Sequence, residues 1–159
     1  MDTEIRARLG RLLQLVDRED EHLMAVRWRL FGDDGRVDAQ RVKQLLTDDL
    51  GVDRLESFGA KFGRMQDTIV DKLIPAVLSA AGERSGAAID NLMRLERLEL
   101  VRSAELWLQM RGLRNRLVHE YIERPEELAP ALERAFEFTE VMHRDYASIR
   151  AFITEHLGV

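Results

Sequence analysis

The chain has 159 residues, 45% of them hydrophobic and 33% charged, with a formal net charge of −5 and no cysteine. That length and balance predict a single globular domain over residues 1–159 with a real core, and the missing cysteines exclude a disulfide framework and a thiolate metal site. The acid excess argues against a broad, non-specific grip on nucleic acid, so any such contact has to be local.

Thr3 to about Phe31 reads as one long amphipathic helix, because Ile5, Leu9, Leu12, Val16, Leu23 and Leu30 recur at helical spacing. Gly32-Asp33-Asp34-Gly35 breaks it. Asp38 is the expected N-cap of a second helix through Val42, Leu45, Leu46 and Leu50, with Gly51 as its stop signal. A third helix is predicted from about Asp53 to Ala81, with Leu55, Phe58, Phe62, Ile69, Leu73 and Val77 on its buried face. Gln66 lies on that face, and a buried amide there calls for hydrogen bonds across the core. Gly59 and Gly63 each cost about 1 kcal/mol against alanine in a helix, and point either to close approach of another helix, from this chain or a second subunit, or to simple tolerance. Pro75 should kink the helix.

Gly82 to Gly86 reads as a turn, followed by a short helix with Ile89, Leu92 and Leu95 as its apolar stripe. Ser103 can cap the next helix, whose face includes Leu106, Met110, Leu113 and Leu117 and which ends near Tyr121, ahead of Pro125. The last helix runs from about Pro125 to Leu157, with Pro130 expected to kink it or delay its start. No strand pattern, repeat or linker is visible. The expectation is an all-α, antiparallel up-and-down helical bundle with one or two short extra helices. No apolar run approaches the roughly 18–20 residues of a membrane span, and Met1-Asp2-Thr3-Glu4 is charged, which predicts a cytoplasmic protein outside the membrane.

The richest stretch is Arg114-Asn115-Arg116-Leu117-Val118-His119-Glu120-Tyr121. Arginine grips phosphate with a forked, bidentate geometry, and histidine moves protons near neutral pH. Together they suffice for phosphodiester cleavage without a metal. The ribose 2′-hydroxyl would be the nucleophile, His119 the acid/base, and Arg114 the stabiliser of the phosphorane-like transition state. Asn115 would orient the His119 ring from one turn away. Arg111 and Arg116 are candidate RNA contacts within the basic run Arg102–Arg116.

A helix advances about 100° per residue, so positions 114 and 119 point about 140° apart, whereas 114 aligns with 121. An Arg114–His119 site therefore requires either a loosened helix or a two-fold dimer that doubles the motif. The plain alternative is solvated helix surface, with Arg116 and Glu120 as an ordinary i,i+4 ion pair; spacing alone favours it over catalysis. His22, His143 and His156 are isolated and lack metal-ligand spacing. Trp28 and Trp107 read as core or interface residues rather than base-stacking platforms.

Arg114-Asn115-x3-His119-x-Tyr121 resembles the R-x4-H-x-Y motif of HepT-like proteins in the HEPN group of helical domains. Leu55-Glu56-Ser57-Phe58, Phe62 and Met65-Gln66-Asp67 resemble that family's middle helix, as does Leu95-Glu96-Arg97-Leu98-Glu99-Leu100-Val101 ahead of the motif. The likeness runs from about Leu55 to Tyr121, and nothing specific to the family is visible over 33–50. It implies a HEPN-like fold and a homodimeric, metal-independent RNase toxin of a toxin–antitoxin pair, needing no cofactor. Arg114, Asn115 and His119 would stand at a cleft between subunits. Its partner would be an MNT-type nucleotidyltransferase that transfers AMP onto Tyr121. Relatives described as substrate-binding subunits of nucleotidyltransferases imply a second reading, a non-catalytic partner subunit; a helical interaction module without chemistry is a third.

Overall fold

A computed structural model describes residues 1–33, 35–119 and 124–159, with Val118 and His119 described in their backbone alone. Helix α1 spans Thr3–Phe31, capped by Asp2, whose carboxylate accepts from the Glu4 amide. It ends where Gly32 takes φ 63°, a left-handed backbone that glycine adopts without cost. Asp38 caps α2, Ala39–Thr47, by accepting from the Arg41 amide at 2.8 Å. A long rod follows. It comprises α3 (Asp49–Thr68), a π-turn (Ile69–Leu73) and α4 (Ile74–Ala80). A short α5, Ala88–Arg97, leads to α6, Ala104–His119, and α7, Pro125–Leu157, closes the bundle.

Cross-helix pairs give the directions. Asp17, Asp20 and Arg27 of α1 meet Arg150, His143 and Glu140 of α7 in reverse order. Glu19 of α1 accepts from Thr68 of α3. Asp67 and Asp71 meet Arg114 and Arg111 of α6, again reversed. Gln109 and Trp107 of α6 bond Arg134 and Asp145 of α7. The four rods thus form an antiparallel ring, the expected all-α bundle, with no strand among the described residues. No described helix is long and apolar enough to cross a membrane.

The apolar faces read from the sequence are the core. Leu9, Val16, Phe58, Phe62, Ile69, Leu73, Met110, Met142 and Ile149 are all buried. Trp107 is enclosed as well, its indole N–H donating to Asp145 at 2.7 Å, so an aromatic is buried with its polar atom satisfied. Ser103 caps α6 as expected, accepting from the Leu106 amide.

Several details depart from expectation. Gly51 does not end α2. Asp48 ends it, and Gly51 is buried in the first turn of α3, where a Cβ would stand 2.1 Å from the Leu45 carbonyl oxygen. The glycine is needed because the end of α2 presses on the start of α3. Leu50 consequently belongs to α3 and is exposed, and Ile89 is exposed too. At Pro75 the rod carries a π-turn just ahead, the Ile74 amide donating to the Ile69 carbonyl; the widened turn accommodates a ring that has no N–H to give. Pro130 neither delays nor ends α7.

Gln66 is the sharpest departure. It is 0% exposed, yet neither amide atom has a hydrogen-bond partner among the described residues. The polar groups beside it in sequence are engaged elsewhere: Thr68 with Glu19 and the Arg64 carbonyl, Asp67 with Arg114.

Candidate functional site

The sequence motif sits at the C-terminal end of α6. Leu106, Met110, Leu113 and Leu117 turn one side of that helix inward, Met110 and Leu117 fully. Arg114 and Arg111 emerge on the flank that faces the α3–α4 rod. Arg114 lies across Gly63 of α3 and forms an ion pair with Asp67, one turn further on. Arg111 pairs with Asp71 at 3.5 Å.

Gly63, Asp67 and Asp71 are spaced four apart. They form a stripe along the rod that receives two arginines spaced three apart on α6. Gly63 has a specific purpose in this arrangement. A Cβ there would stand 2.9 Å from Arg114 Nε and 3.2 Å from its Cγ, so the missing side chain is the room in which the arginine lies. The close approach suggested by the glycines is therefore made at Gly63 by a side chain of the same chain. Gly59 is buried in the rod as well.

The guanidinium of Arg114 is accordingly restrained, partly covered and half-neutralised. Its side chain and that of Asp67 keep 31% and 39% exposure. A pair this wet contributes about 0–1 kcal/mol to stability; its effect is on orientation. A guanidinium with one side on a carboxylate still has N–H groups for a phosphate oxygen.

Asn115 is exposed on the next flank. Arg116 points elsewhere, lining a surface groove of about 420 Å³ with Leu108, Gly112, Arg134 and Phe138 between α6 and α7. Arg111 and Arg116 are thus not brought together. The backbone is helical through His119, so the helix does not loosen before it, and positions 114 and 119 stay about 140° apart in register. Tyr121, and the Glu120 of the suggested ion pair with Arg116, lie outside the described residues. No cluster of three or more metal-ligating side chains occurs among the described residues. His143 instead meets Asp20 at 2.8 Å, and His156 stacks on Phe152.

Two features escaped sequence reasoning. One is the carboxylate stripe of Asp67 and Asp71, whose four-residue spacing after Gly63 was a visible signal. The other is the exposure of Trp28: of the expected core or interface placement, core is excluded, since 58% of the residue is open on the single chain. No family model, curated protein or solved structure matches the chain.

Proposed function

We propose that this chain is a metal-independent endoribonuclease of the HEPN, HepT-like kind, the toxin of a toxin–antitoxin pair, acting in the cytoplasm as a homodimer. The observation that carries the reading is Arg114, held over Gly63 by Asp67 on α6, at the head of an Arg-x4-His-x-Tyr sequence motif. A fixed, solvent-reachable guanidinium and an imidazole brought to it from a second protomer are the minimum equipment for in-line phosphodiester cleavage.

In that reaction the RNA 2′-hydroxyl attacks the adjacent phosphorus, giving its proton to His119. Arg114 stabilises charge on the phosphoryl oxygens. The bond to the 5′-oxygen breaks, and that oxygen takes up a proton, leaving a 2′,3′-cyclic phosphate and a 5′-hydroxyl. Asn115 positions His119. Because positions 114 and 119 diverge along a helix that stays intact, Arg114 of one protomer works with His119 of its partner. A nucleotidyltransferase partner silences the toxin by placing AMP on Tyr121.

The deciding measurement is RNA cleavage by the purified protein in excess chelator. Activity that survives chelation and is lost in His119→Ala is the expected result; undiminished cleavage by His119→Ala would rule out the mechanism. Co-expression with the partner enzyme should add the mass of AMP to a peptide containing Tyr121.

A second reading is favoured by the same ion pair. Arg114 already has a carboxylate, and its register with His119 is poor within one chain, as suits a non-catalytic partner subunit of a nucleotidyltransferase. That reading predicts capture of such an enzyme and no RNase activity from AMP-free protein.

A further inference from the structure

A reversal of the chain's acidic balance also lies away from α6. A surface groove of about 550 Å³ opens at the C-terminal end of α1, lined by Trp28, Arg29, Arg36, Arg41 and Arg54 together with the backbone turn at Gly32. Four arginines from α1, the α1–α2 connection, α2 and α3 converge there, and no acidic residue lines the groove among the described residues. Arg29, Arg41 and Arg54 take part in no ion pair among the described residues. In a protein of net charge −5, three arginines gathered in one groove without an ion pair among the described residues raise the local potential and favour an anion. The indole of Trp28 stands exposed in the same groove, although burial is the favoured state of so large a ring.

The basic lining continues. On α3, Arg54, Lys61 and Arg64 follow at spacings of seven and three residues, which keeps them on one side of the helix over about 15 Å. Lys61 and Arg64 line a second cavity of about 70 Å³ in the same α1–α3 seam, with His22 and the half-buried Glu19. Gly63, against which Arg114 lies, is nine residues from Arg54 and so on the opposite side of α3. The seam is therefore separate from the motif.

We infer that the α1–α3 seam is a binding track for single-stranded nucleic acid, with one base stacked on Trp28 and successive phosphates on Arg29, Arg41, Arg54, Lys61 and Arg64. A planar ring beside a row of guanidiniums matches the alternation of base and phosphate along a strand, in a sequence-tolerant way. A duplex offers the phosphates without a free base face. The choice of RNA as the strand rests on the ribonuclease reading; the track itself does not.

The test keeps the two apart by using a 2′-O-methyl oligonucleotide, which binds as RNA but has no nucleophile for cleavage. Of the chain's two tryptophans, Trp107 is buried, so Trp28 fluorescence should report binding by quenching. Trp28→Ala should weaken binding about 5- to 150-fold, the range of one base–aromatic stack. Arg41→Gln with Arg54→Gln should reduce the slope of log affinity against log salt by about 1.4, at about 0.7 per phosphate on a single strand. All three residues are on the surface, and unchanged circular dichroism should verify folding.

Binding that is equal in all variants would overturn the track. So would AMP alone binding as tightly as the strand, which would make the groove a mononucleotide pocket. Polyglutamate competing as well as the strand would mark it as an acidic-peptide site. Loss of the dimer in Trp28→Ala would assign the face to subunit contact. Intact binding in a protein that never cleaves RNA would refute only the ribonuclease reading.

Discussion

Gly63 exists in this fold to make room for Arg114: a Cβ on the glycine would stand 2.9 Å from the arginine's Nε. Gly63→Ala therefore sets two effects against each other. Alanine brings about 1 kcal/mol of helix propensity, while the arginine must leave its bed and its partner Asp67. Because the obstruction is a flexible side chain, the expected change in melting temperature is a few degrees at most. Cleavage should fall on the order of 10- to 100-fold, as displacement of a positioned group by about 1 Å can produce. Full activity in a well-folded Gly63→Ala would mean that the placement of Arg114 is irrelevant to the chemistry.

Gly51→Ala should behave in the opposite way. Its Cβ would meet backbone, 2.1 Å from the Leu45 carbonyl oxygen and 2.8 Å from the carbonyl carbon and Cα. Neither helix can yield locally. A loss of about 1–3 kcal/mol is expected, with faster amide exchange concentrated in α2. A melting curve identical to that of the parent would contradict the contact.

Gln66→Met tests the unsatisfied amide. Methionine has a similar reach and no strong polar atom, so it removes the desolvation cost of two unpaired groups without leaving a large cavity. Stability should be unchanged or rise by about 1–3 kcal/mol in urea titration. Destabilisation of comparable size would reveal a partner for the amide.

Asp17 gives the fold an acid limb. Bidentate hydrogen bonds from Arg150 at 2.9 and 3.0 Å, helped by the Tyr146 hydroxyl at 2.5 Å, hold its carboxyl below the usual 3.8 despite partial burial. A carboxyl depressed in the folded state adds stability that is present above about pH 4 and lost as pH falls through the folded value. Asp17→Asn should therefore be less stable than the parent at neutral pH. The two melting temperatures should converge as the solution is acidified. Asp145, raised by burial, has the reverse sign: it favours the fold most below its ordinary range and loses that contribution as pH rises.

The bundle was legible because apolar periodicity extends over whole helices. Thr3–Phe31 and Pro125–Leu157 stand where the spacing put them, and the caps Asp38 and Ser103 bond as their positions implied. What escaped depends on packing between helices. Gly51 has a stop signal's composition but serves a close contact, and the π-turn has no residue signature beyond Pro75. The importance of Asp67 becomes visible only when Arg114 is laid across the rod. For the motif itself, sequence and geometry agree on one point: positions 114 and 119 diverge along a helix that remains intact.

The pairing of Asp67 with Arg114 and Asp71 with Arg111 also governs what a distant polyanion encounters. Two cations matched by two carboxylates present, beyond a Debye length of about 8–10 Å, the field of small dipoles rather than of charges. The Arg111–Arg114 part of α6 thus adds little to long-range attraction. Its work is confined to contact distance, so salt should slow the approach of a polyanion to α6 far less than the arginine count of that helix implies.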